Sequence, residues 1–339
     1  MQKSLFTVFL VVSLIIVTSS HSPQKPIIPG DIGYDTDQRP INAHGGGILY
    51  YGGTFYWFGE YKKGETRRLK KIQSWECFRC DAGGVSCYSS KNLTDWKFEG
   101  IALKPETSDS SSDLFIGKVI ERPKVIYNEK TRKFVMWMHI DSEDYSYARA
   151  GVAISDSPAG PYQYLGSMRP NNAMSRDMTL FKDDDGNAYH IFSSENNAVM
   201  HISLLTSDYL KPSGIEKRIF INESREAPAM FKHKNRYYLI TSACTGWAPN
   251  KAMLAQADSI MGEWKMLYNP CKGTDSELTF HAQSTFVLPL PGKTDEYIFM
   301  ADRWNKNNLE DSRYIWLPLV FKNDSCEIAW KASWTLQLK

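Results

Sequence analysis

SREAPAMFKHKNRYYLITSA, residues Ser224–Ala243, decides the fold. A carboxylate, Glu226, stands two residues ahead of Pro228; an apolar run, a polar turn (KHKNR) and a second aromatic run follow. Ile120–Met138, IERPKVIYNEKTRKFVMWM, repeats that outline with Glu121 in the matching place. Short runs of β-branched and aromatic residues bounded by turn chemistry read as strands joined by hairpins. The same outline returns in HGGGILYYGGTFYWFGE (His44–Glu60), RDMTLFKDDDGNAYHIFSS (Arg176–Ser194) and AQSTFVLPLPGKTDEYIFMADRW (Ala282–Trp304). A later part of the unit recurs as well, in SSKNLTDWKFEG (Ser89–Gly100), ISDSPAGPYQYLG (Ile154–Gly166) and QADSIMGEWKMLY (Gln256–Tyr268). Each gives Ser or Asp, a short turn, an aromatic and an outward strand.

After the first interval the copies lie roughly 50 to 60 residues apart, within reach of a four-stranded propeller blade. The first interval is longer because KKGETRRLKKIQSWECFRCDAGG (Lys62–Gly84) is inserted there. Five units occupy the chain from about residue 35 onward. The expectation is therefore an all-β, five-bladed β-propeller forming one domain over residues 23–339. A β-sandwich of similar strand count is the competing architecture, but its strands need not carry this compound repeat.

A propeller brings the heads of its first strands together at one mouth of the axial tunnel. The residues there are His44, Glu121, Asp177, Glu226 and Gln283. The two Glu-x-Pro signatures thus deliver two carboxylates to one pit, with Pro123 and Pro228 stiffening the strand heads. Gathered carboxylates raise one another's pKa. Glycosidic bond cleavage needs that arrangement, with one protonated acid for the leaving oxygen and a second group for water. One such acid alone would more readily cap a turn or pair with Arg122 or Arg303; polar heads on successive blades argue for a site.

Forty basic against 38 acidic side chains leave a net charge of +2. With no Lys/Arg cluster interleaved with aromatics, nothing calls for a nucleic-acid partner. RRLKK (Arg67–Lys71) reads as a solvated loop. Residues 1–22 have one Lys, an apolar stretch from Leu5 to Val17 and small polar residues, which is the layout of a secretory signal. That stretch is shorter than the roughly 20 residues that cross a bilayer. The expected mature protein is exported, free of the membrane and monomeric. Export favours disulfides among Cys77, Cys80, Cys87, Cys244, Cys271 and Cys326. CFRCDAGGVSC lacks a second ligand pair for zinc, so a local disulfide is favoured, with the pairing open. Sequons at Asn92, Asn222 and Asn323 suit a secreted glycoprotein.

Taken in order, AHGGGILYYGGTFYWFGEYK, GKVIERPKVIYN, SRDMTLFKDDDGNAYHIFSSENN, REAPAMF, AQSTFV and ADRW resemble glycoside hydrolase family 43, and its exo-β-1,3-galactanase branch most. The resemblance runs through all five units. It implies an inverting exo-enzyme releasing galactose from β-1,3-galactan or an arabinogalactan-type polysaccharide. It implies Glu226 as general acid, and Gln283 as the residue holding the attacking water. By the same resemblance Glu121 is a substrate-contacting acid able to assist that water, and Asp177 tunes the acid and holds a sugar hydroxyl. NAHGGG has no Asp where the family at large places its base, which fits the galactanase branch and argues against an α-L-arabinofuranosidase or β-xylosidase. A glycan-binding propeller without catalysis would have lost Glu226. Loops carrying Glu60, Tyr145, Asn196, Asn197, Asp302 and Arg303 are expected to face the pit, with Trp247 or Trp304 as a sugar platform. His139, His190 and His201 fall in strand patterns and read as structural. No cofactor is required. A structural calcium ion is allowed by the resemblance, but DDDGN (Asp183–Asn187) reads as a hairpin turn rather than a calcium loop.

Overall fold

In the computed structural model, which describes residues 25–323 and 325–336, each repeat folds as one sheet of antiparallel strands, with one short parallel strand added in the last. The segment read from the sequence as a secretory signal lies outside the described residues. Blade 1 holds β1 (His44–Tyr51), β2 (Thr54–Arg68), β3 (Phe78–Ser90) and β4 (Lys97–Leu103). Blade 2 holds β5 (Val119–Asn128), β6 (Lys133–Asp141), β7 (Arg149–Ser155) and β8 (Gln163–Met168). In blade 3 they are β9 (Met178–Lys182), β10 (Ala188–Ser194), β11 (Val199–Leu205) and β12 (Pro212–Ile219). Blade 4 has β13 (Arg225–His233), β14 (Arg236–Ala243), β15 (Met253–Ala257) and β16 (Lys265–Tyr268). The last blade has the order β17-β21-β20-β19-β18, from β17 (Cys271–Lys272), β18 (Gln283–Pro289), β19 (Tyr297–Arg303), β20 (Arg313–Lys322) and β21 (Ser325–Ala329). The first strands β1, β5, β9, β13 and β18 neighbour one another in that order, and β18 returns to β1. The five-bladed propeller expected from the repeat is the fold observed.

The second strand of each unit looks apolar throughout because both of its faces are covered. On β6, Phe134, Met136, Met138 and Ile140 enter the apolar seam against blade 1, while Val135 and Trp137 enter the seam against blade 3. Period-two alternation sends odd and even residues to opposite faces, and in a propeller each face meets a neighbouring blade. Five such seams, one per blade pair, make up the core. Ile240, fully buried between blades 4 and 5, tests one of them. Ile240→Val should cost about 0.5–1.5 kcal/mol in urea unfolding and leave turnover unchanged.

The ring is closed by the arm ahead of β1. Ile27 and Trp334 exchange backbone hydrogen bonds of 2.8 and 3.1 Å, and Gly30 N–H donates to the Tyr314 carbonyl at 2.8 Å. The Tyr314 hydroxyl accepts from Ala43 N–H and donates to the Ile41 carbonyl, each at 2.9 Å. Among the described residues no helix is long and apolar enough to cross a membrane.

The local disulfide is not formed: all six cysteines are free thiols, Cys244 exposed and the others buried. Cys80 and Cys87 lie seven positions apart along β3, about 20 Å at the rise of a strand, far beyond bridging distance. Of the sequon residues, Asn222 and Asn323 are exposed, whereas Asn92 donates its amide to Asp95 at 2.8 Å inside a turn.

Candidate active site

One backbone device, repeated, aims the polar heads. The register slips between His44 and Gly47 on β1, Glu121 and Lys124 on β5, Glu226 and Ala229 on β13, and Ser284 and Phe286 on β18. Gly45, Arg122 and Ala227 sit at these bulges with φ of 61°, 54° and 54°. A bulge adds an unpaired residue and bends the strand, re-aiming the neighbouring side chain. The middle residue of each Glu-x-Pro is thus left-handed, a strained choice for Arg122 and Ala227 that turns Glu121 and Glu226 toward the axis.

They meet in a cavity of about 470 Å³ at one mouth of the tunnel. Glu60, Glu121, Tyr145, Asp177, Asn196, Asn197, Glu226 and Gln283 all line it, as do both candidate platforms, Trp247 and Trp304. Three expectations need correction. Asp302 lies beneath the floor, 3% exposed, accepting a short hydrogen bond from Gly45 N–H. Burial pushes its carboxyl up to about 7. Arg303 points away and donates to the Phe280 carbonyl at 2.8 Å. Adjacent residues of a strand face opposite ways, so ADRW could not send both to one pit. His44 is fully buried and stacks on Tyr314 with 5.2 Å between ring centroids.

His139 corrects the reading in the other direction, because it lines the cavity. Its Nε2 lies 2.9 Å from Asp141 Oδ2, and its Nδ1 is 3.4 Å from Glu121 Oε2. Burial alone would lower its pKa, but the two carboxylates outweigh it and raise it to about 9, so the ring is an imidazolium near neutrality. Glu121 also accepts from the Tyr145 hydroxyl at 2.9 Å and faces Lys62 at 3.9 Å. Burial would raise its pKa, yet His139, Lys62 and Arg79 outweigh it and hold it below the usual carboxylate range. Lys62, from the first-blade insertion, pairs with Glu60 at 2.6 Å.

Glu226 is neutral where Glu121 is charged. Burial first, and the neighbouring Asp177 carboxylate second, lift Glu226 to about 8, so it carries a proton at neutral pH. Its Oε1 accepts from Gln283 Nε2 at 2.9 Å and its Oε2 from Asn197 Nδ2 at 3.2 Å. Arg122 spans the floor: one nitrogen lies 2.9 Å from Asp177 Oδ2 and donates to Gln283 Oε1, and another donates to the Ser284 carbonyl at 3.1 Å. Trp304 Nε1–H donates to the same Gln283 oxygen at 3.0 Å, and Gln283 Nε2 reaches Ser242 Oγ at 3.0 Å.

Glu121, His139 and Asp177 are the residues whose ligand atoms converge as a metal would require, among those described. They do not fit a calcium ion. Their lone pairs serve Tyr145 and Arg122, and Lys62, Arg122 and the imidazolium already supply positive charge.

The sequence profile described as Glycosyl hydrolases family 43 matches residues 25–299. The chain belongs to glycoside hydrolase family 43. Within that family it is similar to a β-1,3-galactosidase solved with galactodeoxynojirimycin, at 43% identity and a TM-score of 0.83, over 91% of this chain and 100% of that one. It is similar also to the Phanerochaete chrysosporium exo-β-1,3-galactanase solved with β-1,3-galactotriose, at 36% identity and a TM-score of 0.82, over 93% of this chain and 69% of that one. The Clostridium thermocellum exo-β-1,3-galactanase shares 36% identity with a TM-score of 0.80, over 91% and 66% of the two chains. No curated protein sequence matches at a comparable level. The chain is thus a family 43 glycosidase of O-glycosyl bonds, similar to enzymes of the galactanase branch as the motifs anticipated.

The cavity also holds residues that were not expected to line it. Arg122 is the middle residue of a Glu-x-Pro, and its role depends on a bulge no composition reveals. Ile72, Ser74 and Trp75 come from the tip of the insertion, where the repeat offers no register. Cys244 and Gly246, just past β14, were legible only as neighbours of Trp247.

Proposed function

We propose that this family 43 enzyme is an exo-β-1,3-galactanase: exported, it removes galactose from the non-reducing ends of β-1,3-galactan or arabinogalactan-type chains, with inversion. The observation that carries this reading is a protonated Glu226 opposite an anionic Glu121 in a cavity sized for a terminal sugar. The likeness to β-1,3-galactosidases and galactanases supports galactose as that sugar.

Glu226 gives its proton to the glycosidic oxygen as the bond to the anomeric carbon breaks. Water adds to that carbon from the other face and loses a proton to a base. Inversion needs about 6.5–9.5 Å between acid and base to admit the water. Gln283 does not meet that spacing, since it touches Glu226 at 2.9 Å. The neutral amide approaches the Glu226 carboxyl this closely by donating to it. Gln283 also bears the hydrogen bonds of an ordinary amide: its oxygen accepts from Arg122 and Trp304, which can only donate, and its nitrogen donates to Glu226. An imidic tautomer would carry its proton on that oxygen. We therefore assign Gln283 to orient the acid, and Glu121, held anionic by His139 and Lys62, to accept the proton.

Turnover of β-1,3-galactobiose, followed by the anomeric form of the galactose released, tests the reading. The α-anomer should appear first. Aryl α-L-arabinofuranosides or β-xylosides turning over better than galactobiose would reject galactose as the substrate, and binding without turnover would mark a lectin-like propeller. With azide present, Glu121→Ala should regain turnover as α-galactosyl azide forms. Should Gln283→Ala regain it instead, the two assignments reverse.

The pH dependence follows from the same proton. kcat/KM for galactobiose should fall above a basic limb near pH 8, where Glu226 loses the proton it must donate. A folded-state pKa above the ordinary glutamate value also means that folding takes up a proton between the two. The stability it contributes is complete below about pH 4.3 and declines as pH rises toward 8. Urea unfolding across that window should show the decline in the wild type and a smaller one in Glu226→Gln.

A further inference from the structure

The largest departure from the five-fold repeat is the first-blade insertion. β2 runs past the blade to Arg68 and returns in β3 from Phe78, with Lys63 opposite Asp81 and Arg68 opposite Phe78. The tip of this hairpin reaches the cavity rim, where Trp75 lines the wall. The Trp75 ring meets Tyr145 edge-on at 5.6 Å between centroids. On its other side lies Gly246 of blade 4, where a β-carbon would come within 3.4 Å of the indole. Trp75 therefore spans from the blade 2 loop carrying Tyr145 to the blade 4 loop carrying Gly246 and Trp247.

The tip is strapped in place from two sides. Lys71 pairs with Glu143 of the Tyr145 loop at 2.6 Å, and Glu76 pairs with Lys306 of blade 5 at 2.5 Å. Leu309 N–H donates to Thr66 Oγ1 at 2.9 Å. Exposed pairs of this kind add little stability singly, but together they fix where the indole sits.

We propose that Trp75 is the stacking platform for the sugar on the leaving side of the scissile bond, so that the insertion selects a β-linked galactosyl leaving group over a small one. The proposal rests on the galactanase reading and deepens it. The reacting sugar must reach Glu121, Asp177 and Glu226 at the strand heads on the floor. The leaving oxygen faces Glu226, whose carboxyl adjoins the Cys244 thiol. The loop that follows Cys244 carries Gly246, which abuts one edge of the indole, so the leaving sugar crosses the part of the indole that lines the cavity. A galactopyranose shows one face made of its C3, C4 and C5 hydrogens, because O4 is axial. An indole at the rim offers that face a flat apolar partner, and Trp247, set edge-on to Trp304 at 5.5 Å, bounds the other side.

The test compares β-1,3-galactobiose with β-galactosyl fluoride, whose leaving group is one atom, in wild type, Trp75→Ala and Trp75→Phe. The quantity read is the ratio of kcat/KM for the disaccharide to that for the fluoride, which does not depend on the fraction of enzyme folded. In Trp75→Ala that ratio should fall on the order of tenfold, the upper end of what aromatic stacking supplies, and Trp75→Phe should restore most of it. An unchanged ratio, whether both rates drop together or neither does, overturns the proposal and leaves Trp75 as a prop for Tyr145. A wild type inert on both substrates would instead defeat the galactanase reading, and the platform with it.

Discussion

Glu226→Gln is expected to lower kcat on β-1,3-galactobiose on the order of 10²–10⁴-fold, the range of general acid catalysis. The amide fills the same space and keeps the contacts with Gln283 and Asn197 possible, but it has no proton to give. A leaving group that departs without protonation should escape the penalty. On 2,4-dinitrophenyl β-galactoside the variant should lose far less, and its basic limb near pH 8 should disappear because the titrating group is gone. Equal losses on the two substrates would mean that Glu226 holds the sugar rather than protonating it. Retained turnover on galactobiose would remove it from the chemistry altogether.

Glu226 could be picked out before any coordinates because periodicity carries geometric information. Equivalent positions in a closed ring of blades face a common axis, so Glu121, Asp177, Glu226 and Gln283 had to converge once the repeat was recognised. The sequence does not say how each head is turned. The bulges that aim Glu121 and Glu226 place Arg122 and Ala227 in left-handed backbone, where neither residue type signals it. Asp302 and Arg303 fail for a related reason. Asp302 pairs in register with Gln283 and so sits beside the axis, but its side chain goes under the floor while that of Arg303 goes outward. His139 looked like core because it lies mid-strand and is 1% exposed; burial and function coincide there. The cysteines misled through context: the spacing of CFRCDAGGVSC suits a bridge only if the chain turns back between them, and from Cys80 to Cys87 it continues in one direction along β3.

Arg122 is where stability and catalysis are most tightly joined, and its removal should have the largest structural effect. Its side chain is 6% exposed and Asp177 faces it at 2.9 Å with 16% exposure. Taking away one partner of such a pair strands the other charge, at a cost of about 3–5 kcal/mol. Arg122→Met should therefore lower the free energy of unfolding measured in urea by that amount, and Arg122→Met with Asp177→Asn should recover part of it, because the stranded carboxylate is then replaced by a neutral amide. Arg122→Lys should fall between, since an ammonium restores charge but cannot serve Asp177, Gln283 and the Ser284 carbonyl in three directions. The catalytic consequence has a definite sign. Arg122 favours the ionised form of Glu226 and so lowers its pKa against burial and Asp177. Without the guanidinium, Glu226 should hold its proton to higher pH, and the basic limb of kcat/KM in Arg122→Lys and Arg122→Met should move upward, further in the Met variant. A limb that moves downward would mean that the Arg122 charge does not act on Glu226 in this way.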